Sequence, residues 1–122
     1  MKKIWIFIGL SGALAVAVGA MSAHLLADVL NVKALARIQT AATYQMYHTI
    51  VLAGLCAYYQ FKPSSIIKLS GFLFATAIVL FSGSLYLYTL TYYQPLVFLT
   101  PIGGLLFIVG WLNLARIAFD KT

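Results

Sequence analysis

Four long apolar runs, separated by short polar or proline-containing stretches, dominate the chain. They cover about residues 4–26, 41–61, 66–92 and 96–119, and each has the roughly 20 mostly apolar residues that a transmembrane helix needs. Only helices and closed barrels satisfy every backbone group in lipid, and the runs lack the alternating polarity of barrel strands. The pattern therefore predicts an all-α polytopic membrane protein, with residues 1–122 forming a single domain built as a four-helix transmembrane bundle.

The stretch between the first and second runs is less hydrophobic, and it contains neither proline nor glycine from residue 29 to residue 43. Its apolar and polar positions alternate with a helical period, which predicts a short amphipathic helix between spans one and two. Such a helix would lie on the membrane surface and bend into the second span. Further along the chain, turns are expected at Pro63 and Pro95, because a proline disfavours helical conformation in the residue before it.

The composition strengthens the membrane interpretation. Hydrophobic residues make up 63% of the 122 positions, and eight basic and two acidic residues give a net charge of +6. The basic residues stand in ones and twos at the predicted helix ends, which is typical of membrane orientation signals and argues against a nucleic-acid partner. The lipid bilayer is therefore the expected partner. A cleaved signal peptide is the alternative for the first run, but this run is longer than a usual signal core.

Counts of lysine and arginine predict how the spans are oriented. With four crossings, both termini and the link at Lys62 lie on one side of the membrane. That side carries six basic residues, namely Lys2, Lys3, Lys62, Lys68, Arg116 and Lys121, whereas the other side carries Lys33 and Arg37. Because short cytoplasmic segments are enriched in Lys and Arg, both termini are predicted to be cytoplasmic, in the cytoplasmic (inner) membrane of a bacterium.

Small residues at helical spacing predict where helices pack closely. Helices in lipid associate through van der Waals contact, which small side chains permit. The first run has four such residues at a spacing of four, and glycines in the third and fourth runs are further candidates. The predicted packing residues are Ser11, Ala15, Gly19, Ala23, Gly83, Gly103 and Gly104.

Polar residues of all four runs fall at similar depth, in the half of the predicted bundle away from the termini. They are His24, Tyr44, Gln45, His48, Ser82, Ser84, Tyr86 and Thr100. Because polar side chains are costly in lipid and usually face the bundle interior, these eight are predicted to surround one pocket or hydrogen-bond network. His48 is expected to be neutral, with one ring nitrogen donating and the other accepting. The alternative is a purely structural role, as hydrogen bonds between helices.

No familiar catalytic or metal-binding pattern accompanies this cluster. The two histidines, Asp28 and the distant Cys56 lack the spacing of a metal site, so neither a metal nor another cofactor is predicted. The serines at 82 and 84 have no carboxylate nearby that would complete a catalytic triad, so no catalytic residue is assigned. A proton relay through His48 and its neighbours is the remaining chemical alternative.

Four motifs in order resemble the family called domain of unknown function 423, which is related to transmembrane protein 256. They are Gly19-Ala20-Met21-Ser22-Ala23-His24, Tyr44-Gln45-Met46-Tyr47-His48, Phe81-Ser82-Gly83-Ser84-Leu85-Tyr86 and Thr100-Pro101-Ile102-Gly103-Gly104, followed by Gly110-Trp111. The resemblance covers nearly the whole chain, and Ser22 departs from the glycine more usual there. It implies a small four-helix membrane protein and no assigned activity.

The leading functional prediction is a small non-enzymatic membrane protein, a structural or accessory subunit whose polar cluster fixes helix packing or docks a partner. The first alternative is a small-solute or proton transporter or channel, acting as an oligomer because four helices enclose little space. The second alternative is a membrane enzyme acting on a lipid or quinone. Assembly as a homo-oligomer or within a larger membrane complex is compatible with the first two.

Overall fold

The structure of the chain, a computed structural model, is all-helical and describes residues 2–120, so Lys121 of the basic count lies outside it. The α-helices are α1 (Lys2–Ala23), α2 (Leu25–Val29), α3 (Val32–Phe61), α4 (Ser65–Ala77), α5 (Gly83–Thr91) and α6 (Leu99–Ala115). A π-helical segment, Ile78–Ser82, joins α4 to α5 without a break, and the 3₁₀-helices Gln94–Phe98 and Arg116–Phe119 flank α6. The predicted all-α class is confirmed.

Three helical stretches are long and apolar enough to cross a membrane: Lys2–Ala23, Ser65–Thr91 and Gln94–Phe119. The helix α3 is longer, at 30 residues or about 45 Å, but polar residues interrupt its apolar sequence. Apolar character alone therefore identifies three spans among the described residues, and a crossing by α3 requires a separate argument.

The segment predicted to form a separate amphipathic helix is instead the first part of α3. Asn31 caps this helix by accepting a hydrogen bond from the Ala34 backbone N–H at 2.9 Å, and the helix then continues to Phe61. It continues because the first glycine in it is Gly54 and it contains no proline. The short helix α2, with no buried residue, lies between α1 and α3.

The helix α3 occupies the centre of the bundle. Its buried residues recur every three or four positions from Ala34 to Cys56, and they pack against α1, α4, the π-helical segment and α5. The neighbouring long helices run antiparallel, since higher-numbered residues of one contact lower-numbered residues of the next. The bundle thus has a termini end, with residues 2–4, 62–64 and 116–120, and a loop end, with residues 24–31 and 92–94.

The apolar core lies between the third and fourth long helical stretches, where Phe74, Ala77, Ile78 and Phe107 form a buried cluster. Gly103 lets α6 approach the π-helical segment closely, because a Cβ atom at this position would lie 2.5 Å from the backbone nitrogen of Phe81. Gly110 has a similar role, since a Cβ atom there would lie 2.7 Å from the ring of Phe74. The core therefore depends on two glycines of α6 that face aromatic residues.

Candidate functional site

Gln45 lies at the centre of a buried hydrogen-bond network that joins three helical stretches. Its amide nitrogen donates to the backbone oxygen of Ser11 at 2.9 Å and to the Ser11 hydroxyl at 3.1 Å. Its amide oxygen accepts from the Tyr86 hydroxyl at 2.6 Å. Thr49, one turn along α3, lies 2.8 Å from the Ser11 hydroxyl. One side chain of α3 thus connects α1 to α5.

The direction of every hydrogen bond in this network follows from its chemistry. The Thr49 hydroxyl donates to the backbone oxygen of Gln45 at 2.6 Å, so it must accept from Ser11. Ser11 in turn accepts from the amide of Gln45, and Tyr86 donates to the same amide. Each of these hydroxyl and amide protons is committed to one acceptor, so the network is closed upon itself.

His48 forms a second polar site, on the side of α3 that faces α6. The Trp111 indole N–H donates to Nε2 of His48 at 3.0 Å, and Nδ1 lies 2.8 Å from the backbone oxygen of Tyr44. Because the indole only donates, Nε2 must be unprotonated and Nδ1 must carry the proton. The ring also stacks on Phe107, with 3.8 Å between centroids. His48 therefore lies buried as a neutral imidazole with both nitrogens bonded.

The predicted residues Ser82, Ser84 and Thr100 make hydrogen bonds that join other pairs of helical segments in the bundle. The Ser82 hydroxyl, at the end of the π-helical segment, donates to the backbone oxygen of Ala41 at 2.7 Å and so joins this segment to α3. The Ser84 hydroxyl donates to the backbone oxygen of Phe81 and accepts from Thr100, which joins α5 to α6. Both serines are buried, and neither is hydrogen-bonded to His48.

The two remaining members of the predicted cluster lie nearer the surface. Tyr44 stacks on Phe81 with 5.0 Å between centroids, and 41% of its surface is exposed. His24 is exposed at the break between α1 and α2, and its backbone N–H donates to Met21. Within residues 2–120, no three side chains of His, Cys, Asp or Glu come together in a way that would hold a metal ion.

The eight predicted residues are thus divided among separate groups, and three of them share one groove. This groove, of about 490 Å³, opens sideways between α1 and the stretch formed by the π-helical segment and α5. Gln45, Ser82 and Tyr86 line it together with Ser11, and the exposed apolar side chains of Leu10, Leu14 and Val79 form its rim. The groove, whose accessible lining is mainly apolar, therefore opens towards the surface where lipid chains would lie.

The structure also contains a polar group that the sequence interpretation missed, near the termini end. Asn113 of α6 donates to the backbone oxygen of Ile66 at 3.0 Å and to the Ser70 hydroxyl at 2.9 Å. Ser70 donates to the backbone oxygen of Gly110 at 3.0 Å. The sequence signal for this group is that Gly110 and Asn113 are three apart, so they share a helix face, which lies opposite Ser70 of α4.

The predicted packing residues have different surroundings. Ser11 and Ala15 are buried against α3, as is Ser22, but Ala23 is exposed. A Cβ atom on Gly19 or Gly83 would meet no atom within 4 Å, because both glycines border grooves. A Cβ atom on Gly104 would lie 3.7 Å from the ring of Phe81, an ordinary contact. Among the described glycines, the closest approaches are at Gly103, which is one of the predicted residues, and at Gly110, which is not.

Comparisons with known proteins agree on one family. Residues 18–104 match the model of a protein family of unknown function, DUF423. A UPF0382 membrane protein of Haemophilus influenzae is 40% identical over 120 residues, covering 98% of this chain and 96% of the relative. A UPF0382 inner membrane protein of Escherichia coli is 39% identical over 87% of this chain and 81% of its own. A UPF0382 membrane protein of Staphylococcus saprophyticus is 44% identical, over 92% of this chain and 93% of the relative. No solved structure matches the chain.

Proposed function

Because this chain belongs to the DUF423 family, whose relatives include membrane proteins of unassigned activity, we propose that it is a non-enzymatic accessory protein of the bacterial cytoplasmic membrane. It crosses the membrane four times and associates with a larger membrane complex. Both termini face the cytoplasm, in agreement with the six basic residues on that side and the two on the other.

The fourth crossing is made by α3. Residues 38–61 contain no Asp, Glu, Lys or Arg, and the helix is longer than the roughly 30 Å hydrocarbon core of a bilayer. Three of the polar side chains that lower its hydropathy, Gln45, His48 and Thr49, are 3–5% exposed and bonded within the bundle. Its outward residues include Tyr47 and Ile50, which suit lipid contact. A helix whose buried polar side chains are bonded inside a bundle is compatible with lipid.

The observation that carries the accessory role is the closure of the buried polar groups. Among the described residues, every buried side-chain nitrogen or oxygen has a hydrogen-bond partner within the chain. Groups that bond to each other in this way hold helices together, and no buried side-chain nitrogen or oxygen of the described residues is left without a partner for a substrate to satisfy. The polar cluster therefore supports a rigid bundle that presents its outer faces to a partner.

The test is purification of the tagged chain from its native membrane in a mild detergent, followed by determination of composition and size. The expected result is a complex that contains a second membrane protein at fixed stoichiometry. Recovery of only the 13.4 kDa chain or its homo-oligomer would overturn the accessory role. Proteoliposomes give the complementary test, since proton or solute flux above empty vesicles, lost in Gln45→Leu, would favour the transporter.

The lateral groove favours one further candidate, a binding site for a lipid-soluble ligand such as a quinone. Its apolar rim suits an isoprenoid or acyl chain, and Tyr86 and Gln45, which are bonded to each other, are among the residues that line it. Gly83 lines the groove with open space beside it, so Gly83→Leu would fill the groove. A quinone analogue should raise the unfolding temperature of the wild type and leave Gly83→Leu unchanged. Equal shifts in both proteins, or none in either, would exclude this site.

A further inference from the structure

A second groove, of about 520 Å³, lies at the termini end of the bundle, away from the Gln45 network. Its two walls come from the first turns and following residues of α1 and α4, and α3 forms its floor. Six of its residues matter for what it can bind: Lys3, Leu55, Tyr59, Lys68, Gly71 and Phe72. No residue that lines this groove makes one of the side-chain hydrogen bonds between helices described above.

The groove is basic at its mouth and apolar further along. Lys3 lies in the first turn of α1, Lys68 in the first turn of α4 and Tyr59 in the last turn of α3, so all three lie near the end of the bundle. The apolar part, with Leu55 and Phe72, continues towards the bundle centre, and 67% of the Phe72 surface is exposed. Charge at the membrane face and an apolar cleft below it follow the polarity of a phospholipid.

Gly71 keeps the apolar part of the groove open. This glycine lines the groove, and a Cβ atom there would lie 3.5 Å from Cδ1 of Leu52, in ordinary contact with the floor. A methyl group would therefore fit, whereas a longer side chain would extend into the space. The absence of a side chain at this position leaves room for an acyl chain between α1 and α4.

The two lysines at the mouth are not neutralised within the described chain. Neither Lys3 nor Lys68 has an ion pair or a side-chain hydrogen bond within residues 2–120. The sequence has two acidic side chains, of which Asp28 lies at the loop end and Asp120 accepts from Ser64 at 3.4 Å. The Tyr59 hydroxyl likewise makes no hydrogen bond within the described residues. The mouth thus offers two ammonium groups and a phenol to an anion.

We propose that this groove binds one anionic phospholipid, such as phosphatidylglycerol, from the leaflet on the side of the termini. The phosphate lies between the ammonium groups of Lys3 and Lys68, with the Tyr59 hydroxyl as a further donor, and one acyl chain follows the cleft past Gly71. Basic pockets between transmembrane helices are known to bind anionic head groups in this manner. The site requires only that the protein lies in a membrane, and it does not depend on the accessory role.

The competing explanation is that these lysines only extend to the membrane surface, as lysines at helix ends commonly do. In that case any lysine at this end would have the same effect on lipid binding. Lys62 supplies the matched control, because it lies at the same end, is exposed and carries the same charge but does not line the groove. Comparing the effects of substituting Lys3 and Lys68 with the effect of substituting Lys62 therefore distinguishes a specific lipid-binding site from general surface charge.

The experiment reconstitutes the whole chain in nanodiscs of equimolar phosphatidylglycerol and phosphatidylethanolamine and releases it into mild detergent. Native mass spectrometry then counts the retained lipids and identifies their head groups. The wild type should retain one phosphatidylglycerol. In the variant with both Lys3→Gln and Lys68→Gln, retention should fall roughly tenfold to thirtyfold, since each lysine near an anionic surface contributes on the order of a tenfold change or less.

Two further variants decide the outcome. Lys62→Gln should retain phosphatidylglycerol like the wild type, and Gly71→Leu should lose it despite unchanged charge. Thermal unfolding of each variant confirms that it is folded. The proposal is overturned if the wild type retains both lipids equally or retains none. It is also overturned if Lys62→Gln loses as much as the double variant, or if Gly71→Leu, shown to be folded, retains the lipid.

Discussion

At the scale of single residues, Gln45 is the buried polar side chain that joins α1, α3 and α5. It bonds to α1 through Ser11 and to α5 through Tyr86, and it is 3% exposed. An amide supplies donors and acceptors together, so one side chain can satisfy both neighbours. Its replacement by an apolar residue would leave both neighbours without their partner.

We expect Gln45→Leu to lower the free energy of unfolding by about 1–3 kcal/mol, because the half-buried Tyr86 hydroxyl would lose its acceptor, whereas Ser11 would keep its bond to Thr49. The control is Gln39→Leu, which changes an exposed glutamine of the same helix and should alter the free energy by about 0.5 kcal/mol or less. Thermal or denaturant unfolding in one detergent measures both. Equal effects of the two substitutions would remove Gln45 from the centre of the network.

The contrast between the two histidines gives the second prediction. His48→Leu should cost about 1–3 kcal/mol, since the Trp111 indole N–H would lose its acceptor, whereas His24→Leu should have little effect because His24 is exposed. Unfolding measurements of the two variants test the order. Nitrogen chemical shifts of His48 in ¹⁵N-labelled protein should show a proton on Nδ1. A proton on Nε2 would contradict the bond from Trp111.

Part of this site could be predicted from the sequence, and part could not. The position of His48 inside an apolar span indicates a buried, neutral and bonded imidazole, which agrees with its two partners. The sequence could not identify Trp111 as the partner of His48. The two residues are 63 positions apart, and their contact depends on the axial position of α6 relative to α3. The division of the eight polar residues into separate groups also depends on helix rotation, which depth along the chain does not specify.

At the scale of elements, the junction between α6 and the π-helical segment is the tightest helix contact for which a glycine is responsible. The backbone of Phe81 occupies the space where a Cβ atom of residue 103 would lie. The π-helical geometry also coincides with the bond from Ser82 to α3. π-Helical turns are often found at functional sites, and here the segment lines the lateral groove.

Gly103→Ala should therefore destabilise the bundle by about 1–3 kcal/mol, because a helix must shift to admit the methyl group. Gly19→Ala is the matched control, since its Cβ atom would meet nothing within 4 Å and alanine favours helix. We expect the control to unfold at the wild-type temperature or slightly above it. If the two alanine variants have the same stability, the close approach at Gly103 is not limiting.

The apolar runs predict the approximate ends of three of the four long helical stretches, because the length of a run and its interruption at Pro63 or Pro95 are local properties. The π-helical segment leaves no such signal, since residues 78–82 lie inside a uniformly apolar run. The sequence also did not indicate that α3 is continuous through residues 32–61, because the polarity of its first turns suggested a separate surface helix. That polarity is explained by burial on one side only, at Ala34, Ile38 and Ala41.

At the scale of the whole molecule, the proposed topology makes a direct prediction. A reporter active only outside the cytoplasm should be silent when fused after residue 122 and active when inserted near Lys33, because six basic residues lie on the side of the termini and two on the other. A cytoplasmic reporter at the same positions is the control and should give the opposite pattern. External activity at the C-terminus would reject the four-span arrangement.

The polarity of α3 has a consequence for how the protein is made. Three helical stretches are long and apolar enough to cross a membrane, but α3 carries Gln45 and Thr49 on the face where the Gln45 amide bonds to α1 and α5. If α3 left the translocon alone, it would expose these groups to lipid. Its biogenesis should therefore be delayed until later segments have been synthesised, so that the ribosome finishes α5 before α3 is released laterally into the membrane.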